Sequence, residues 1–546
     1  MPTPDIGCTM TASNEPLILP RLFLRSCRRA GSRLKVADSM GTEMSGRSLL
    51  LRTLILRRLL ARNVLSNDEK YVGLLLPPSA GAVVANAATT LLQRIAVNLN
   101  YTVSPAVMES CIRQCGIRHV LTSRKFMEKM PLKVPAELVY LDDFKAQVTL
   151  ADKLAAAFQS RAMPLGMLEK RLGLLDVRPD DVLTVIFTSG STGEPKGVML
   201  TYENVGSNIR GVDEVFRITA EDVAVGILPF FHSFGYTASM WLVLALDAAG
   251  AYHFSPLEAQ QVGKLIGKYK GTVFFGAPTF LRGYVRRCDP ADMKTLDVVV
   301  AGAEKLPGDL SDAFEKRFGV RPIEGYGCTE LSPVVSVNIP ASRSPTGDAT
   351  GVREGTVGRP LPGVQAKVVD PETREPLPQG KAGMLLIRGP NVMKGYLNKP
   401  DLTAEVIRDG WYTTGDLAVL HDDGFIEITG RESRFSKIGG EMVPHIRIEE
   451  TLSRVIGAGE DELKVAVTAI PDERKGERLI VLHTKLDKSP EQICRELAAS
   501  GLPNIWIPSP DSFVEVEQIP VLGTGKFDLK GIKEKAMQRF ALPVDV

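Results

Sequence analysis

The chain has 546 residues, with 66 Lys+Arg against 64 Asp+Glu and a formal net charge of +2. With 44% hydrophobic and 24% charged residues it has an ordinary globular composition, which excludes a disordered, collagen-like or coiled-coil chain. Near-neutrality argues against a nucleic-acid footprint over the whole surface, though not against a local basic patch, and the length predicts three or four domain-sized units at ~150 residues each.

The first segment, 1–16, is polar and has no charged region followed by an apolar core, so no signal peptide is expected. From Leu49 to Leu65, Arg52, Arg57, Arg58 and Arg62 are set among leucines. A basic amphipathic helix can lie on a membrane. A helix packed on a core with solvated arginines is the favoured reading, and peripheral membrane contact stays open. Seven cysteines, at 8, 27, 111, 115, 288, 328 and 494, are scattered along the chain. That pattern predicts free thiols in a reducing cytoplasm, with the inner membrane surface as a second location to consider. Cys111 and Cys115 are four apart without neighbours of metal-ligating type, which predicts buried helix positions rather than ligands.

Apolar β-branched runs then alternate with helical patterns. DVLTVIF (181–187), GTVFFGAP (271–278) and LDVVVAGA (296–303) read as short buried strands bounded by Gly, Pro or Asp. Ala259, Val262, Leu265, Ile266 and Tyr269 recur at helical spacing, as do Leu310, Ala313, Phe314 and Phe318. Strand–helix alternation predicts parallel sheets covered by helices. MWLVLALDAAGA, from Met240, is interrupted by Asp247 and falls short of the ~18 residues of a membrane span, which predicts a buried helix. Residues 341–354 are polar and rich in Gly, Ser and Thr, the composition of an exposed loop. From about Gly363, short strands with turns (AKVVD, GMLLIRG, FIEITGR) predict a smaller antiparallel unit spanning about 356–430. Beyond Gly430, KVAVTAI, RLIVLHTK and PEQICRELAAS predict an α+β domain over 431–546. The expected fold class is α/β: a large N-terminal domain, 1–430, of α/β subdomains plus the small antiparallel β unit, and a small mobile α+β C-terminal domain.

The strongest chemical signal follows the first of those strands. TSGSTGEPKG, Thr188 to Gly197, packs three glycines, four hydroxyls and Lys196 into ten positions. Glycines let backbone N–H groups approach an anion, while hydroxyls and a lysine add donors and charge. It is not a Walker loop, because Lys196 precedes Gly197 and no Gly-Lys-Ser/Thr occurs.

This loop resembles the signature of the adenylate-forming (AMP-binding) superfamily, and the resemblance continues in order. GYGCTE (325–330) resembles the family's adenine- and phosphate-binding motif, and YTTGD (412–416) its ribose motif. GRESRFSKIGGE (430–441) resembles its hinge, and GTGKFD (523–528) its catalytic-lysine motif. LPFFHSFGYT (228–237), VVAGAEKL (299–306), EGYGCTELSPVVSVNIP (324–340), SKIGGEMV (436–443) and IPVLGTGKFD (519–528) are similar to the acyl–acyl-carrier-protein synthetase part of bifunctional 2-acylglycerophosphoethanolamine acyltransferases. The chain begins almost directly with the synthetase-like part. None of its six histidines has Asp five positions on, so a fused His-x-x-x-x-Asp acyltransferase is not expected.

The resemblance implies activation of a fatty acid by ATP and Mg²⁺ through an acyl-adenylate, then transfer to the pantetheine thiol of acyl carrier protein or of coenzyme A. It implies that Thr188, Ser189, Gly190, Ser191, Thr192, Gly193 and Lys196 hold the β- and γ-phosphates. Thr329 would bond the α-phosphate, and Glu330 would hold Mg²⁺ through hard oxygen ligands. Tyr326 and Gly327, with Gly302, Ala303 and Glu304, would receive adenine. Asp416 would accept both ribose hydroxyls, with Arg431 reaching ribose or phosphate. Lys526 would act in adenylation, and Lys437 with Gly440, on the opposite face of the hinged domain, in thiol transfer. His232 would wall the acyl group from the thiol tunnel, while Phe231 and Trp241 could line an acyl tunnel. Arg431, Arg434 and Lys437 could supply positive charge for either acceptor, the acidic carrier protein or the nucleotide of coenzyme A. Glu432 stands where the family often has Asp or Lys as its pivot. The rival reading from another class is a silent acyl-AMP-binding partner of a lipid enzyme. Loss of Lys196, Glu330, Asp416 or Lys526 would favour it, and all four are present.

Overall fold

A computed structural model describes residues 17–188, 194–344, 351–431, 434–438, 441–458, 463–472, 475–521 and 527–540, the side chains of Lys437, Glu441 and Met442 excepted. Two large sheets form the frame of the N-terminal part. One has seven strands in the order Gly395–Tyr396, Lys196–Thr201, Val182–Thr188, Ile95–Asn98, Tyr71–Leu74, His119–Thr122 and Glu137–Tyr140. Its last five strands are parallel, and its first three pair antiparallel. The other has nine strands, with a parallel centre of Ile323–Gly327, Val298–Ala301, Val273–Gly276, Val223–Gly226, Ala249–Tyr252 and Leu34–Asp38. Runs such as Val298–Ala301 are buried at every position, as a parallel sheet covered on both faces requires. The expected helices form over Ala259–Tyr269 and Gly308–Phe318.

The antiparallel unit comprises Gln365–Val369, Ala382–Arg388, Trp411–Leu420 and Ile426–Arg431, with the short strand Ile407–Arg408 at its edge. The C-terminal sheet contains Phe435–Ile438, Glu441–Pro444, Val465–Asp472, Gly476–His483 and Phe513–Glu515. Strand alternation gives that small unit two cores. Val465 and Val467 face one cluster with Ile448 and Leu452, while Ala466 and Ile470 face another with Ile532.

Three expectations are refined. The segment from Met240 is not one helix. A π-helical turn, Gly235–Trp241, runs into a single short helix, Leu242–Ala245, and Leu246 turns extended before the strand Ala249–Tyr252. The described part of the 341–354 segment is clamped, because Arg343 bonds Asp222 and Asp297 at 2.6 Å each. The arginine-rich segment is the helix Gly46–Asn63, opened by Ser45, whose hydroxyl accepts from the Ser48 amide at 3.2 Å. Several of its arginines are spent internally: Arg57 on the Leu91 carbonyl, and Arg58 and Arg62 on the buried Asp152. Cys111 and Cys115 are buried in the helix Pro105–Cys115. Among the described residues, no helix is long and apolar enough to cross a membrane.

Candidate active site

The strands Val182–Thr188 and Lys196–Thr201 pair antiparallel with Thr188 opposite Lys196. The signature loop therefore joins two strands at one end of the sheet. Ser189, Gly190, Ser191, Thr192 and Gly193 lie outside the described residues. On the far edge of Lys196–Thr201, Tyr396 pairs with Val198. The Lys196 ammonium lies 5.1 Å from the centre of the Tyr396 ring, within cation–π range. The Tyr396 hydroxyl donates to Glu330 Oε1 at 2.9 Å. Burial and then the Glu330 charge push the phenol above its ordinary range, so it stays a neutral donor.

Glu330 arrives from a second sheet. Strand Ile323–Gly327 pairs with Val334–Val337, and the register breaks between Tyr326 and Gly327. A Cβ on Gly327 would lie 1.9 Å from the Pro333 carbonyl oxygen, so only glycine permits that approach. The break is followed by the turn Thr329–Leu331, which places Thr329 and Glu330 in the cavity. The Glu330 carbonyl accepts from the Met393 amide at 2.8 Å, and Thr329 Oγ1 accepts from Ser233 Oγ at 3.3 Å. Burial, with Glu330 and Asp416 nearby, pushes the Cys328 thiol well above its ordinary range. It is held protonated, unlike a nucleophilic cysteine.

Asp416 comes from the antiparallel unit, opposite Arg431 in register. It is 3% exposed, yet both its oxygens are bonded. Oδ1 accepts from Arg431 Nε at 2.8 Å, and Oδ2 accepts from the Tyr326 hydroxyl. Its amide donates to Thr414 Oγ1 at 3.0 Å, and that hydroxyl donates to the Leu385 carbonyl at 2.9 Å. Each carboxylate oxygen has two lone pairs, so Asp416 keeps accepting capacity while its rotamer is locked. Arg431 therefore grips Asp416 itself, in addition to facing the cavity.

Gly302, Ala303 and Glu304 follow the strand Val298–Ala301. The Gly302 amide donates to the Gly276 carbonyl at 3.0 Å, and a Cβ at Gly302 would press on the Phe234 ring at 3.1 Å. Ala303 has φ +70°, a left-handed conformation that non-glycine residues seldom adopt outside functional sites. Glu304 accepts from the Thr279 hydroxyl at 2.6 Å. Nearby, burial pushes Glu324 up to about 7, against the Leu306 amide and the Lys305 charge.

One cavity of about 3750 Å³ gathers Thr188, Lys196, His232, Gly302, Ala303, Glu304, Tyr326, Gly327, Thr329, Glu330, Asp416 and Arg431. His232 is exposed on its wall, beside Phe231 at 4.6 Å between ring centres. It is not a core histidine. Trp241 does not line the cavity. It is fully buried, edge-on to Tyr236 at 6.4 Å, because the π-helical turn aims it into the core. Arg434 is not a surface cation either, since it forms a buried ion pair with Glu449, whose other oxygen accepts from the Val467 amide at 2.6 Å. Glu432, Gly440, Lys526 and the side chain of Lys437 lie outside the described residues. Sequence reasoning missed Tyr396, Ser233 and Thr414, because each acts through a partner that only the fold or a local turn supplies.

The donor chemistry fits a nucleotide with its metal. Glu330 offers the carboxylate oxygen a hard Mg²⁺ takes, and Thr329 offers phosphate a hydroxyl donor. Lys196 offers phosphate a point charge, and Tyr326 offers a base its ring. Fold and site together fit an enzyme that binds a nucleotide. The chain belongs to the AMP-binding enzyme family, whose model matches residues 23–397. It is 33% identical over 388 residues to YngI of Bacillus subtilis, provisionally named an acyl-CoA synthetase, covering 69% of this chain and 67% of that one. It is 32% identical over 354 residues to a long-chain-fatty-acid–CoA ligase of the same organism, covering 63% of this chain and 60% of that one. The fold matches ATP-bound MatB of Rhodopseudomonas palustris with a TM-score of 0.76 at 24% identity, covering 95% of this chain and 99% of that one.

Proposed function

We propose that this cavity activates a fatty acid with ATP and passes the acyl group to a pantetheine thiol. The observation that carries the reading is the meeting of Lys196, Glu330, Tyr326 and Asp416, from three different sheets, in one cavity. In the first half-reaction a carboxylate oxygen attacks the α-phosphorus of ATP, and pyrophosphate leaves with the bonding pair. Anions are brought together there, so donors and cations must surround them. Lys196, with the 188–193 loop, takes the β- and γ-phosphates. Thr329 bonds the α-phosphate, Asp416 takes the ribose hydroxyls, and Tyr326 stacks on adenine between Gly302 and Glu304. Mg²⁺ held by Glu330 would neutralise phosphate charge. His232 and Phe231 wall the acyl carbonyl. In the second half-reaction the thiol sulfur attacks that carbonyl, loses its proton and expels AMP.

The C-terminal unit, 431–546 hinged near Glu432, would present Lys526 for the first step and Lys437 for the second. The names of the relatives favour coenzyme A as acceptor, and the resemblance of 228–237, 299–306, 324–340, 436–443 and 519–528 to acyl-carrier-protein synthetases favours the carrier protein. Thioester formation with each acceptor decides between them. Lys526→Ala should abolish acyl-AMP formation and leave thioester formation from supplied acyl-AMP intact. Equal loss of both halves would contradict the two-face scheme.

A further inference from the structure

The helix Leu150–Arg161 is built inside out. Its face toward the helix Gly46–Asn63 carries Asp152, Gln159 and Ser160, all buried, with Ala156 the only buried apolar residue. Asp152 accepts from Arg58 at 3.2 Å and from Arg62 at 3.2 Å on each oxygen, and it caps its own helix through Thr149. The Thr149 hydroxyl and amide, then the two guanidinia, hold its carboxyl well below the usual range. Arg28 meanwhile donates to the carbonyls of Gln159, Arg161 and Met163 at the far end. Polar contacts thus hold the helix to the body.

The apolar residues of the same helix point outward. Leu150, Leu154 and Phe158 are 70%, 63% and 56% exposed. Their i, i+4, i+8 spacing confines them to an arc of about 80° opposite Asp152 and Gln159. Two more exposed apolar side chains, Met167 and Leu175, follow in the next helix and at its exit. A soluble helix ordinarily turns its apolar stripe inward, and an exposed stripe of this kind marks an interaction surface.

The surrounding charge indicates what covers it. From Lys145 to Leu175 every exposed charged residue is basic: Lys145, Lys153, Arg161, Lys170 and Arg171, with the exposed acids Asp142, Asp143 and Asp176 bounding the stretch at its two ends. The only acids in that span, Asp152 and Glu169, are buried, and Glu169 pairs with Arg21 and Arg25. Lysine is depleted at the centres of protein interfaces and enriched on the polar edge of helices that lie in a bilayer surface. Phe144, Lys145, Val148 and Lys153, at and before the start of this helix, also line the large cavity.

We propose that Leu150–Arg161 and the residues following it form a docking face for an anionic lipid bilayer, with Leu150, Leu154 and Phe158 inserted among acyl chains and the lysines and arginines on the headgroups. The proposal concerns binding alone and stands whether or not the activity above is correct. Because the exposed Lys145 and Lys153 line the cavity, docking would bring that part of its wall to the lipid surface.

The test is co-sedimentation of the full chain with vesicles of phosphatidylcholine, with and without about 30% phosphatidylglycerol. Binding is expected only with the anionic lipid and should fall with salt. It should drop roughly tenfold or more in Leu154→Ser/Phe158→Ser and in Lys153→Glu/Lys170→Glu. All four positions are exposed, so the variants should keep the wild-type melting temperature. Absence of wild-type binding, or binding that neither variant weakens, overturns the proposal. Self-association or binding to an acidic carrier protein that Leu154→Ser/Phe158→Ser abolishes, without vesicle binding, assigns the face to another occupant and also overturns it.

Discussion

Tyr396→Phe removes a contact on which the proposed metal chemistry depends. The change keeps the ring under Lys196, 5.1 Å from its ammonium, and removes the hydroxyl that holds Glu330 Oε1 at 2.9 Å and also meets the Tyr412 hydroxyl. The hydroxyl is bonded to a carboxylate proposed as the Mg²⁺ ligand, so its loss should act as loss of a metal ligand's supporting partner. Such losses typically cost 10–100-fold in metal affinity or activity, about 1.4–2.7 kcal/mol. The same range follows from a hydrogen bond to a charged group, about 1.5–3 kcal/mol. The assay is the initial rate of fatty-acid-dependent pyrophosphate release, titrated with Mg²⁺ at saturating ATP. The half-saturating Mg²⁺ concentration should rise 10–100-fold, with much of kcat recovered at high Mg²⁺. In a cycle with Glu330→Gln, the second substitution should add little to the first. An unchanged Mg²⁺ profile, or full additivity, would refute the assignment.

Other outcomes follow from the same geometry. Glu324→Gln should raise stability above pH 7 and do little below pH 4.5. Folding raises this carboxyl from 4.5 to about 7, so the folded state binds the extra proton in that window and stability falls as pH rises through it. After allowance for partial exposure the gain is about 1–3 kcal/mol, read from denaturant midpoints at pH 5 and pH 8. Asp416→Asn weakens the grip on Arg431 and on the Tyr326 hydroxyl, and should raise KM for ATP by roughly 10–100-fold while leaving KM for the thiol unchanged. Gly327→Ala must displace the Pro333 backbone, since the new Cβ would sit 1.9 Å from its carbonyl oxygen. A stability loss of about 2 kcal/mol or more is expected in thermal melts, together with weaker ATP binding.

The motif-bearing segments were legible because their chemistry is local. Gly-rich turns and the Thr-Glu and Gly-Asp pairs declare themselves within ten residues, and buried strands such as Val298–Ala301 are plain apolar runs. The partners were not legible. Tyr396 meets Glu330 across 66 positions of sequence, and only strand pairing beside Lys196 brings them together. Arg434 reads as a free cation until the helix His445–Val455 supplies Glu449. Trp241 reads as tunnel lining because apolar composition cannot distinguish a cavity wall from a core. The parallel strands Tyr71–Leu74 and Ile95–Asn98 are four residues each, too short for periodicity to announce. The helix Leu150–Arg161 defeats pattern reading most fully, since its apolar stripe faces away from the body it packs on.

The central claim is that this cavity forms an acyl-adenylate. Incubation of the wild-type chain with Mg²⁺, ATP and a series of fatty acids, with no thiol present, tests it most directly. The account predicts pyrophosphate and acyl-AMP in equal amounts, with at least one fatty acid giving near one equivalent per enzyme before turnover stalls. No pyrophosphate with any fatty acid, or adenylation only of aryl or amino acids, would contradict it.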